Sequence, residues 1–197
     1  MAWKRRKKDP EFKPDANPST FAKTARLTRQ QKLTLSKWLL YTALCVFLLV
    51  VQDVLMSKLR LFGATTNLAV CAILLVAMLE GVETGSLFLL IASTIYYFTG
   101  SAPGPYCIAL LTILGVGAML LRQMFLHRSK GTIVVCTGIT ILLYEIGLFI
   151  IGLVSGLTLF VRLPSFLFAG LYSALALIPL YNPFEKISLI GGTQWKE

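Results

Sequence analysis

Charge is scarce in this chain. Of its 197 residues only 14% are Asp, Glu, Lys or Arg, against 56% hydrophobic, and the mean hydropathy is +0.73. So little charge cannot cover the surface of an ordinary water-soluble domain, and a soluble fold is excluded. Histidine occurs once, as His127, which rules out a multi-histidine metal site and leaves a Ser-His-Asp triad unsupported. The four cysteines, Cys45, Cys71, Cys107 and Cys136, lie in four separate apolar stretches with no CxxC or other ligand spacing. They read as buried, reduced packing thiols and not as a disulfide frame or a metal site. No short apolar core sits close to the start: 37 mostly polar residues come first, without a small-residue cleavage site, so the first apolar stretch is expected to be retained.

What the chain has is apolar length. Six stretches bounded by turn residues or charges occupy residues 38–57, 65–80, 84–99, 105–123, 131–155 and 164–182. A helix needs about 20 residues to cross ~30 Å of hydrocarbon, because each backbone polar group must be satisfied within the segment. The expected fold is therefore all-α, a polytopic membrane protein built as a six-transmembrane-helix bundle with short loops, its second and third spans short. Phe62-Gly63-Ala64, Glu80-Gly81-Val82-Glu83 and Gly100-Ser101-Ala102-Pro103-Gly104-Pro105 supply tight connections. The expected divisions are a disordered basic tail over residues 1–27, a juxtamembrane helix over 28–37, the membrane domain over 38–183 and a short tail over 184–197. Thr28-Arg29-Gln30-Gln31 has the form of a capping box that starts the juxtamembrane helix, and Trp38 and Tyr41 are expected at the headgroup boundary.

The positive charge is segregated. Residues 1–37 carry eleven of the nineteen Lys and Arg and three acids, which accounts for +8 of the chain's net +10. This tail and the loop carrying Arg122, Arg128 and Lys130 belong on the cytoplasmic side, which with six spans returns both termini there. Lys4, Arg5, Arg6, Lys7 and Lys8 face the anionic leaflet, which attracts each basic residue by ~1 kcal/mol. Lipid, and not nucleic acid, is the expected partner of that run.

Four polar side chains stand out against the apolar background: Gln52, Asp53, Asn67 and Glu145. Counted along their helices at about 1.5 Å per residue, Asp53 and Glu145 reach similar depth in the outer part of the bilayer. An ionisable group there faces a bundle interior or an aqueous cavity, so a polar pocket, a proton or cation site and a partner contact all remain open. Structural pairing is equally open, Asp53 with Lys58 or Arg60 and Glu145 with Tyr144 or another neighbour. Small residues recur at helix-packing spacing as Gly152 with Gly156, Ala169 with Ser173 and Gly170 with Ala174, for contacts within the chain or with another membrane protein.

Read as an ordered set, several segments resemble the bacterial rod shape-determining protein MreD family. They are Leu49-Val50-Val51-Gln52-Asp53-Val54-Leu55, Leu59-Arg60-Leu61-Phe62-Gly63, Asn67-Leu68, Leu79-Glu80-Gly81-Val82-Glu83-Thr84-Gly85, the Gly100 to Gly104 hairpin and Ile178-Pro179-Leu180-Tyr181. The resemblance covers roughly residues 38–190. It implies a non-enzymatic, cofactor-free component of the cell-elongation machinery in the bacterial cytoplasmic membrane. Its implied partner is MreC, and through it MreB, RodA and a class B penicillin-binding protein. A second class is the substrate-binding subunit of an energy-coupling factor importer, in which Asp53, Glu145, Tyr96, Tyr97 and Asn67 line a vitamin-sized pocket.

Overall fold

A run of thirteen residues, Leu68–Glu80, is apolar on every side until its last position, and it forms the axis of the molecule. The computed structural model describes residues 29–56, 64–125 and 129–190. Within them the order is α1 (Arg29–Val51), a π-helical turn (Gln52–Met56), α2 (Leu68–Glu80), α3 (Val82–Phe98), α4 (Tyr106–Phe125), α5 (Lys130–Val154), a 3-10 turn (Phe160–Arg162) and α6 (Leu163–Ser188). The described residues contain no β-strand.

Each residue of α2 is buried, and α2 touches all five other helices. A helix hydrophobic all round belongs in such a position, where no face meets solvent. The remaining helices turn apolar side chains outward as well: Phe47 and Val50 on α1, Leu87 and Ile91 on α3, Ile113 on α4, Ile139 on α5 and Leu175 on α6 are all exposed. An apolar shell around an apolar core suits lipid as the surrounding solvent.

Four helical segments are long and apolar enough to cross a membrane: Arg29–Val54, Tyr106–Met124, Lys130–Val154 and Phe160–Ser188. The other two, α2 and α3, have thirteen and seventeen residues. At about 1.5 Å per residue α2 is only ~20 Å long. Gly81 alone separates α2 from α3, in a backbone conformation (φ 89°, ψ 179°) open to glycine and closed to residues with a Cβ.

The juxtamembrane helix runs on into the first apolar stretch, α1 being unbroken from Arg29 through Lys37 to Val51. Tyr41 is fully buried within the protein, stacked at 6.2 Å on Phe184. The tail expected from residue 184 is helical to Ser188, with Phe184 buried and Glu185 ion-paired to Lys130 at 2.9 Å. Pro179 and Pro183 are accommodated within α6, since tertiary packing holds the helix where local propensity would end it. Thr28 and the run Lys4 to Lys8 lie outside the described residues, as do His127 and Arg128.

Candidate functional site

A short helix in the middle of a bundle has free N–H groups at one end and free carbonyls at the other, both away from water. Side chains from other helices meet both ends of α2, forming two polar clusters.

At the end where α1 begins, Lys37 Nζ lies 2.7 Å from Glu80 Oε1 and donates to Oε2 at 2.8 Å. Tyr41 Oη donates to Glu80 Oε1 at 2.8 Å. The guanidinium of Arg122 on α4 donates to the Met78 carbonyl, one of the free acceptors of the last turn. Trp38 covers the cluster from α1, 5.6 Å from Phe88. None of these four polar contacts was anticipated, although antiparallel helices place the start of α1 and the end of α2 on one side, and Glu80 is the sole charge on an apolar helix.

At the opposite end the π-helical turn carries Gln52, whose Oε1 accepts from Ala69 N at 2.8 Å. Asn67 caps α2, its Oδ1 accepting from Val70 N at 3.4 Å and from Tyr96 Oη at 3.2 Å. Ser173 of α6 accepts from Asn67 N at 2.9 Å, and its carbonyl accepts from the Cys71 thiol at 3.3 Å. The hairpin after α3 joins the same cluster through the Ser101 carbonyl, which accepts from Tyr96 Oη at 3.3 Å.

This second cluster opens into a cavity of about 250 Å³. Gln52, Thr65, Thr66, Asn67, Tyr96 and Ser101 line one side. Glu145 and Leu148 from α5, and Ser165, Phe166 and Ala169 from α6, line the other. Glu145 itself is only 6% exposed. Three of the four polar candidates therefore line one cavity. Asp53 is set apart: it is exposed and accepts from Ser101 Oγ at 3.3 Å, so it touches the cavity through the hairpin. Its expected cations Lys58 and Arg60 lie outside the described residues. Glu145 lines the cavity together with Asn67. Tyr97 packs against Phe98 at 5.6 Å and does not line the cavity.

The small residues divide by role. Gly170 packs against Leu142 and Glu145, and Ala174 lies 3.6 Å from the place a Cβ on Gly138 would occupy, so this pair forms the α5–α6 contact. Ser173 turns toward α2 instead, and Ala169 toward the cavity. Gly152 and Gly156 do not form one helix face. Gly156 lies beyond the end of α5 at φ 70°, in a turn where Leu157 N donates to the Gly152 carbonyl at 2.9 Å.

No group of three or more metal-ligating side chains occurs among the described residues, and all four cysteines are free thiols. Compared with protein-family models, with curated proteins and with solved structures, the chain matches none.

Proposed function

We propose that this chain is a membrane scaffold of the bacterial cell-elongation machinery, of the MreD type, working without turnover of its own. It docks MreC, and through MreC acts on MreB, RodA and a class B penicillin-binding protein. In this reading the six helices all belong to the membrane domain, both termini are cytoplasmic, and the basic tail lies along the anionic inner leaflet.

The observation that carries the reading is a convergence. Segments of the MreD-like set that are far apart in sequence meet at the two ends of α2: Gln52, Asn67 and the Ser101 hairpin at one, Glu80 and Gly81 at the other. Those residues form the internal frame of the bundle and leave its apolar outer faces for lipid and for other membrane helices. Depletion of the protein should round rod-shaped cells or misplace wall synthesis. Unaltered shape on depletion would refute the proposal.

A second reading is favoured by the cavity. A substrate-binding importer subunit needs such a chamber, and Asn67, Tyr96 and Glu145 line this one. Loss of uptake of a vitamin on depletion, with shape intact, would select it over the scaffold.

A further inference from the structure

The cavity between α2, α5 and α6 is chemically one-sided. Its lining holds a carboxylate, Glu145, and hydroxyl and amide side chains outnumber apolar ones, while no Lys or Arg lines it among the described residues. Burial of a carboxylate calls for hydrogen bonds and a compensating charge. Asn67 lies within interaction range of Glu145. A carboxylate has about four lone-pair sites, so a single amide neighbour leaves most of its accepting capacity open.

The amide of Asn67, which lines the same cavity, is itself fixed. Its oxygen accepts from Val70 N and from Tyr96 Oη, so the orientation of Asn67 follows from the cap of α2 and from α3. Gly170 and Leu142 pack beside Glu145 from α6 and α5. The acid is thus enclosed where α5 packs on α6, and it is only 6% exposed, which is more construction than a solvated surface acid requires.

We propose that this cavity binds a small primary ammonium compound bearing hydroxyl groups. The ammonium pairs with Glu145, and the hydroxyls exchange hydrogen bonds with the hydroxyl and amide wall formed by Thr65, Thr66, Ser101, Ser165 and Gln52. Its volume of about 250 Å³ lies just below the ~300–1,000 Å³ of drug-sized sites, which sets the ligand at the scale of an amino alcohol. The proposal is independent of the scaffold reading, because it concerns the interior of the bundle and not the outer faces on which MreC would dock.

Three molecules of one shape separate the possibilities: serinol, which carries an ammonium between two hydroxyls, glycerol, which replaces that ammonium by a hydroxyl, and the anion glycerate. Titrated calorimetrically into the full chain in lipid nanodiscs, serinol should bind saturably, and glycerol and glycerate at least about tenfold more weakly, the scale of one charge-assisted hydrogen bond. Glu145→Gln should weaken serinol by a similar factor and leave helix content unchanged. Ala169→Leu keeps the carboxylate and fills the cavity; it should abolish serinol binding, and it decides the matter if Glu145→Gln does not fold. Equal binding of serinol and glycerol, preference for glycerate, no saturable serinol heat with folded protein, or serinol binding unaffected by the variants would each overturn the proposal.

Discussion

Lys37 and Glu80 form a buried ion pair, 2.7 Å apart, with side chains only 10% and 6% exposed. It ties the first helix, which is otherwise thinly packed, to the end of the central one. Removing one partner of a buried pair leaves an uncompensated charge and costs about 3–5 kcal/mol, whereas replacing both by apolar residues is often close to neutral. Lys37→Met and Glu80→Met should each lower the thermal midpoint in detergent, and the double variant should recover most of the loss. Single variants that melt like the parent would show the pair to be dispensable.

The joint between α2 and α3 should be the least tolerant backbone in the chain. Gly81 takes a conformation that any side chain strains, at about 1–3 kcal/mol. A Cβ on Gly85 would lie 2.4 Å from the Ala77 carbonyl oxygen, a backbone atom that cannot swing aside. Gly81→Ala and Gly85→Ala should both destabilise the protein, while Gly117→Ala, with open space around it, should not. A chain that accepts all three alike would contradict the close α2–α3 approach.

How much of this was legible beforehand depended on the kind of signal. Apolar run length located the long helices of the described residues in outline. Hydropathy does not separate lipid-facing from protein-facing surface, so the total burial of Leu68–Glu80 was invisible: Leu74 in the core and Leu87 outside read alike. Asn67 stands out as a polar residue, but its place in one cavity with Glu145 depends on the packing of α5 against α2, which no local pattern encodes. Glu80 was the missed opportunity. A charge at the end of an apolar helix demands a cation, and Lys37 lay on the same side by simple alternation of direction.

Asn67 caps α2 and shares a cavity with Glu145, and two substitutions distinguish these roles. Asn67→Ala removes the hydrogen bonds to Val70 N and Tyr96 and should cost about 1–3 kcal/mol. Asn67→Asp keeps an acceptor for the cap but sets a second carboxylate in the cavity with Glu145, and should destabilise at least as much at neutral pH. Thermal melting in detergent checks both. An Asp variant as stable as the parent would contradict the close approach of the two side chains.

The proposed orientation can be tested at two loops. Ser101 lies in the hairpin after α3, and Ser129 caps α5 at the opposite end, its Oγ accepting from Thr132 N at 3.2 Å. A cysteine placed at Ser101 should be labelled by an impermeant thiol reagent from outside intact cells, and one at Ser129 should not. The reverse pattern would invert the proposed topology.

The proposed docking to MreC is tested by affinity purification of the tagged full chain from gently solubilised cells, with the bound proteins identified. MreC should be recovered, accompanied by RodA and a class B penicillin-binding protein. Recovery of importer ATPases in place of MreC, or of the chain alone from cells that express MreC, would contradict it.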